Sequence, residues 1–228
     1  MPALEKNWDQ HVIEAEDVAR TPGFQALRDR IIALAAPQPG EVAVDVGAGT
    51  GLLTLPLAET VGRVWAVDIA PAMCEYLRAK AASAGHQNVE MVVASATSLP
   101  LVDNSADLVV SNYCFHHVAD PDKVRALSEA ARVLRPGGRL IFGDMMFRVS
   151  VTDPRDRRVV AAKVRSMLRR GPAGVARLLK NLLRFAGRRW ERPARAGWWE
   201  SALHEAGFVN VELEVLDHEG GIARGWLP

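Results

Sequence analysis

Cysteine is scarce in this chain of 228 residues: there are two, Cys74 and Cys114. Two cannot form the disulfide framework of a small secreted domain, and their flanks do not read as metal sites, so no metal is expected. Long apolar runs are missing as well. No stretch approaches the roughly 20 apolar residues that cross a bilayer. Residues 1–20 scatter Glu5, Lys6, Asp9, Glu14, Glu16 and Asp17 among their apolar side chains, which excludes the apolar centre of a secretory signal. Internal repeats and low-complexity tracts are absent. A reducing cytoplasm is therefore the expected setting. Net charge is also nearly absent, at +1, and taken over the whole chain it points to no partner. With 49% hydrophobic and 24% charged residues, the composition is that of a globular protein able to bury one sizeable core.

That near-zero total hides an asymmetry. Between Arg148 and Arg195 there are 15 Arg or Lys against 3 acidic residues, a local net of +12 that leaves −11 for the remainder. A block so biased reads as an element with its own role. The rest of the chain alternates short apolar runs with amphipathic ones. A helix is expected from a Thr21-Pro22 start, through Phe24, Leu27, Ile31, Ile32 and Leu34, until Pro37 and Pro39-Gly40 stop it, and further helices over 51–60, 71–84, 121–134 and 198–206. Strands are expected at 42–46, 63–67, 89–93, 108–111 and 139–145, with Arg135-Pro136-Gly137-Gly138 as a turn and a closing hairpin of 209–216 and 222–227. Strands separated by helices of this length imply a parallel sheet covered on both faces and doubly wound.

The sharpest local feature is Val42-Ala43-Val44-Asp45-Val46-Gly47-Ala48-Gly49-Thr50-Gly51, a strand followed by a glycine turn and a helix start. Glycine serves where the backbone needs positive φ or where a ligand must touch the chain. The spacing is GxGxG, with Leu52 at the sixth position, whereas dinucleotide sites that rest a pyrophosphate on the helix use GxGxxG. A tighter loop suits a ligand without phosphate. About 20 residues on, Asp68 ends the second strand, where a carboxylate can accept from both hydroxyls of a ribose. The alternative is a glycine turn that merely joins strand to helix.

Taken together, the motifs resemble the class I methyltransferases, above all the subgroup with the ubiquinone and menaquinone methyltransferases. Val44–Gly51 is similar to that family's first motif and Val67-Asp68-Ile69-Ala70-Pro71-Ala72-Met73 to its second. Leu99-Pro100-Leu101, Asp107-Leu108-Val109-Val110 and His116-His117-Val118 resemble the stretch around the fourth strand. Arg132–Leu140 and Glu205-Ala206-Gly207-Phe208 resemble the turns into the fifth strand and the last hairpin. The resemblance implies a Rossmann-like α/β fold with a seven-stranded, mostly parallel sheet, helices on both faces, a C-terminal antiparallel hairpin and a helical cap inserted after the fifth strand. It implies a single domain over 1–228: N-terminal helices (1–38), a cofactor-binding core (39–147), the basic cap (148–195) and a last helix with hairpin (196–228). The implied cofactor is S-adenosyl-L-methionine, with S-adenosyl-L-homocysteine as product. Its methionine part falls to Asp45, Gly47, Ala48 and Gly49, its ribose to Asp68, and its adenine to Ile69 and Met73; Ser95, Ala96 and Asn112 complete the set. Ser95 departs from the acidic residue common there, and a hydroxyl contact lacks the strength of a charged one.

Polar groups crowd the ends of the fourth and fifth strands, where open α/β sheets place their chemistry. His116 is the candidate base, because an ordinary histidine titrates near neutral pH; Tyr113 and Asp144 are the further catalytic candidates. His117 reads as packing beside the cofactor and Cys114 as a small buried hydrophobe; Trp8 with His11 reads either as ordinary helix packing or as a lid over the cofactor. In the basic block, Val175, Leu178, Leu179, Leu182 and Leu183 recur at helical spacing with Arg177, Lys180, Arg184 and Arg188 on another face. The expectation is a mobile cap that turns its leucines inward and selects the acceptor, with Trp190, Trp198 and Trp199 at the pocket edge. Two versions stand open: a solvated basic face, or a peripheral contact with anionic membrane that delivers a lipid-like substrate. Nucleic acid is disfavoured for want of a recognised RNA-binding module. The expected partner is a small-molecule acceptor. Alternatives are an inactive cofactor-binding regulator, an NAD-dependent oxidoreductase and an RNA methyltransferase.

Overall fold

The computed structural model describes residues 7–147, 153–169, 171–186 and 192–228. A 3-10 turn at Trp8–His11 leads into α1 (Val12–Ala19) and α2 (Pro22–Ala35). Pro22 occupies the first helical turn, where its missing N–H costs nothing, and Ala36 ends α2 in the left-handed region at φ 44°. Then come β1 (Val42–Val46), α3 (Thr54–Ala58), β2 (Arg63–Asp68), α4 (Pro71–Ser83) and β3 (Val89–Val93). The other half has β4 (Ala106–Asn112), α5 (Asp120–Val133) and β5 (Leu134–Met145). α6 (Pro154–Leu168), α7 (Pro172–Ala186), α8 (Ala196–Glu205), β6 (Val209–Val215) and β7 (Gly220–Trp226) complete the chain.

All seven strands form one sheet in the order β3-β2-β1-β4-β5-β7-β6. β1 to β5 pair in parallel, and β7 lies antiparallel between β5 and β6. Successive side chains of a strand face opposite ways, and here they feed two cores. Val44, Val109 and Phe142 pack with Leu127 of α5 and Leu203 of α8. Their neighbours Ala43, Leu108 and Ile141 pack with Leu27 and Ile31 of α2 and Leu57 of α3. The Rossmann-like architecture is thus the one that the motifs implied.

Three local expectations are corrected. The helix after the glycine loop starts at Thr54 rather than Gly51, because Gly51 at φ +90° belongs to the turn. Arg135–Gly138 lies within β5: Ala106 pairs with Leu134 and Leu108 with Arg139, so the four residues bulge out with Gly137 at φ +78°. Trp199 does not edge a pocket. It is fully buried, between Phe142 at 4.8 Å and Phe115 at 5.8 Å from ring to ring.

The cap begins on a clamp. From the first turn of α6, the Arg155 guanidinium donates to the carbonyls of Met146 (2.8 Å), Leu216 (3.0 Å) and His218 (2.8 Å). Lys163 pairs with Glu219 at 2.9 Å, so α6 is bound to the β6–β7 hairpin. α7 packs mainly against α6. Leu178 is half-buried there, but Leu179 faces solvent, contrary to the inward leucine face expected, because α7 rests on α6 instead of lying flat on the sheet. The side chains of Lys180, Leu182, Leu183 and Arg184, and residues Arg188 and Trp190, lie outside the described part. Replacing Arg155 by Ala is expected to lower stability by about 2 kcal/mol, since charged hydrogen bonds contribute roughly 1.5–3 kcal/mol. Hydrogen exchange should speed up over Pro154–Leu168 while β1, β4 and β5 stay protected; unchanged exchange in α6 would remove the clamp.

Candidate cofactor and active site

β1 runs between β2 and β4, the place where the winding of the sheet reverses. Open sheets of this kind take their ligands there, at the carboxyl ends of the strands. The loop after β1 folds across that place, with the N–H groups of Gly47 (2.8 Å) and Ala48 (3.0 Å) donating to the Val67 carbonyl. Gly47, Gly49 and Gly51 all have positive φ, for different steric reasons. A Cβ on Gly47 would stand 2.5 Å from Cys114 Sγ, and one on Gly51 would overlap Leu77 Cδ1. At Gly49 there is nothing within 4 Å. That is the open side of the loop.

Asp68 closes the ring. Its Oδ2 accepts from Gly49 N–H (2.8 Å) and its Oδ1 from Ala70 N–H (2.9 Å). Burial pushes this carboxyl above its ordinary value, against the backbone N–H groups of Ala70, Gly49 and Ile69 that hold it down. Each oxygen keeps a lone pair for a hydroxyl. Asp45 lies beneath the loop, 2% exposed, and accepts from Thr54 Oγ1 at 2.6 Å; burial raises it to about 7. Ile69 is exposed beside Asp68 while Met73 is buried. Ser95 is engaged with Thr97 through a 2.8 Å contact between their hydroxyls, next to half-buried Ala96. Asn112 Oδ1 is buried without a protein partner among the described residues. An open glycine, a carboxylate with spare lone pairs, an exposed apolar flank and an orphaned amide oxygen together fit a nucleoside-bearing cofactor.

Several contributors were not legible from the motifs. Glu16 of α1 is buried and accepts from Lys80 Nζ (2.8 and 3.0 Å) and Arg20 Nε (2.9 Å). Lys80 also donates to the Thr50 carbonyl at 3.1 Å, which ties α1 to the glycine loop. Asp9 accepts from Ala72 N–H (2.9 Å) at the start of α4, where a helix favours an anion. Trp8 packs edge-on against His117 at 4.5 Å. His11 pairs with Glu14 at 2.9 Å. Only the Arg20 pair at i,i+4 is local to Glu16; its link to the glycine loop runs through Lys80, 64 residues away.

Tyr113 takes φ +52°, a strained conformation for a residue with a side chain. Its ring lies 4.9 Å from that of Phe24 and 5.6 Å from that of His116. His116 is 3% exposed, and its Nδ1 meets Asp144 Oδ1 at 2.6 Å. Asp144 also accepts from the backbone N–H of His116 (3.1 Å) and Met145 (2.6 Å). A carboxylate holding Nδ1–H leaves Nε2 as the acceptor of the neutral ring. His117 lies 3.9 Å from His116, ring to ring. Burial, with Asp68 and Asp144 nearby, pushes the Cys114 thiol up, as suits a hydrophobe rather than a nucleophile. The end of the basic segment reaches this turn: Arg192 N–H donates to the His116 carbonyl (2.7 Å), and fully buried Lys123 donates to the Arg192 carbonyl (2.5 Å).

The fold is doubly wound, and the residues at its switch point fit a nucleoside-bearing cofactor without forming a pyrophosphate cradle. Residues 44–142 match the family model described as methyltransferase domain, somewhat less than half of the chain. It is 35% identical over 128 residues to aklanonic acid methyltransferase DauC of Streptomyces sp. (strain C5), covering 55% of this chain and 57% of that protein. It is 41% identical over 106 residues to demethylmenaquinone methyltransferase of Clavibacter sepedonicus, covering 46% of this chain and 42% of that one. The crystal structure of a SAM dependent methyltransferase from Aquifex aeolicus shares the fold with TM-score 0.67 at 18% identity, over 96% of this chain and 98% of that one. The chain spans about half, or less, of the length of the curated relatives it matches.

Two outcomes follow from this geometry. Gly47→Ala is expected to fold poorly, through strain and overlap with Cys114. Gly49→Ala should cost only the roughly 1–2 kcal/mol of a left-handed residue yet weaken cofactor binding, which thermal melting and calorimetry would separate; equal behaviour of the two variants would contradict the open side. Asp45 sets a pH dependence in the cofactor-free protein. Its folded value of about 7 lies above the ordinary 3.8, so its contribution is complete below about pH 4 and is lost as pH rises through 7. The wild-type melting temperature should therefore fall more between pH 5 and 8 than that of Asp45→Asn; parallel profiles would show that Asp45 does not carry that proton.

Proposed function

We propose that the chain transfers a methyl group from S-adenosyl-L-methionine to a small-molecule acceptor of apolar or lipid-like character, by in-line displacement. The observation that carries this reading is Asp68, held between the N–H groups of Gly49 and Ala70 beside the open face of the glycine loop. When bound, the cofactor supplies an electrophilic methyl group on a sulfonium. Asp68 accepts hydrogen bonds from the ribose, Ile69 and Met73 flank the adenine with Ser95 and Ala96 behind them, and Gly47, Ala48 and Gly49 admit the methionine part. Asp45 supports that loop from below, and Asn112 offers its unpartnered oxygen.

On the acceptor side, Asp144 orients His116 so that Nε2 can take a proton, the arrangement by which a carboxylate fixes a histidine base. Tyr113 and His117, with Trp8 laid against His117, surround that ring with aromatic surface and exclude water. An acceptor admitted past these rings is apolar in part, and the basic cap offers it a route from a membrane face. A nicotinamide cofactor is disfavoured by GxGxG, and no feature of the site favours an inactive regulator or an RNA substrate.

Calorimetry with S-adenosylhomocysteine is expected to show binding that weakens at least tenfold in Asp68→Ala, since hydrogen bonds to a charged group contribute about 1.5–3 kcal/mol. Asp68→Asn, which keeps an acceptor for the loop, should fold normally and bind with intermediate strength. Preference for NAD would sink the reading. With a productive acceptor, His116→Asn should lower kcat by about 10²–10⁴ with cofactor affinity unchanged; an unaltered kcat would leave alignment alone as the mechanism.

A further inference from the structure

The cofactor site leaves one surface unexplained, the outer side of the cap. Leu168 at the end of α6 and Val175 and Leu179 of α7 are 51, 41 and 59% exposed. Gly171 N–H donates to the Leu168 carbonyl and Val175 N–H to the Gly171 carbonyl, both at 3.1 Å, which ties the end of α6 to the start of α7. Leu179 follows Val175 by one helical turn, on the same face. Arg165, Arg169 and Arg177 are exposed on the same two helices. Large aliphatic side chains set among arginines form a pattern distinct from a solvated basic face, which has no use for exposed leucine.

We propose that this surface seats the protein on an anionic lipid bilayer. Leu168, Val175 and Leu179 enter the boundary between headgroups and acyl chains, and Arg165, Arg169 and Arg177 meet the lipid phosphates. The charge distribution selects this occupant. Residues 148–195 carry a net +12 and the remainder −11, so an anionic surface attracts the cap and repels the body, and a single orientation results. A second copy meeting the same face would oppose two such positive segments across an isologous contact. A polynucleotide would satisfy the arginines and leave the aliphatic side chains in water.

In this seat the membrane face is joined through α6 and the β6–β7 hairpin to the acceptor side. α6 is clamped by Arg155 to the carbonyls of His218 and Gly220, and a Cβ on Gly220 would stand 3.0 Å from the Tyr113 hydroxyl. The assignment deepens the proposed lipid-like acceptor and rests on that reading for its purpose, but its readout needs no turnover.

The test is flotation of the full chain with phosphatidylcholine vesicles made with and without phosphatidylglycerol. Binding is expected with the anionic vesicles at low salt, weakening as salt rises, and not with the neutral ones. Val175→Asp with Leu179→Asp should lower the partition at least tenfold, and Arg165→Gln with Arg169→Gln and Arg177→Gln about a hundredfold, at about fivefold for each arginine. All five positions are exposed, so melting temperatures should match the wild type. The proposal is overturned by equal binding to neutral vesicles, by no binding at low salt, or by aspartate variants that bind like the wild type, which would mark simple charge adhesion of the kind a polynucleotide also shows. It is overturned as well by a wild-type dimer in solution that Leu179→Asp splits. S-adenosylhomocysteine calorimetry on the same samples keeps the two readings apart. A chain that floats without binding the cofactor sinks the methyltransferase reading, and one that binds the cofactor without floating sinks only the membrane seat.

Discussion

The structure turns on one carboxylate held from two sides. Asp68 sits where β2 ends and accepts from Gly49 ahead of it in the chain and from Ala70 behind it. To deliver the Gly49 N–H, the loop after β1 must bend across the top of β2, and Gly47 and Ala48 spend their own N–H groups on Val67 in doing so. That path demands positive φ at Gly47, Gly49 and Gly51, which an ordinary residue meets only at a cost. It also brings the loop onto Cys114 and Leu77 so closely that a methyl group has no room at two of the three glycines. One polar contact thus sets the glycine pattern, the close packing of β1 against β4 and the open side left for a ligand.

Around that centre, long-range contacts hold what the sheet alone does not. α1 reaches the loop through Glu16, Lys80 and the Thr50 carbonyl. The end of the basic segment at Arg192 reaches the His116 turn from the other direction and is held by Lys123. A lysine buried in the first turn of a helix works against the helix dipole and against desolvation. Asp120 at 2.7 Å, the Arg192 carbonyl and the Trp198 ring at 5.6 Å compensate it. The end of the cap is thereby fastened beside the histidine that Asp144 orients.

The two sides of the site differ in how much of each the family match covers. The family match spans residues 44–142, which takes in the glycine loop, Asp68 and His116 and stops short of Asp144, α6 and α7. The residues proposed to hold the cofactor therefore lie mostly in the matched stretch. Asp144, the Arg155 clamp and the exposed aliphatic side chains of α6 and α7 lie outside the matched stretch.

Much of this was legible in the residues alone. Short apolar runs placed the strands, and Val42–Val46 and Val89–Val93 have the bounds that their composition implied, although β3 at the sheet edge carries Glu90 and is only half covered. The glycine spacing with Asp68 could be read because turn and carboxylate act over short stretches of chain. Tertiary structure decided the rest. The Arg135–Gly138 turn became a bulge because β4 and β7 pair on either side of it. Trp199 became core because α8 docks where Phe115 and Phe142 leave space. Glu16 met Lys80 only once α1 had folded over α4, and Leu179 was left in water because α7 lies on α6. Local pattern determines which face of an element is apolar; which neighbour covers that face, or whether any does, depends on contacts between residues far apart in the chain, and these exist only in the folded molecule.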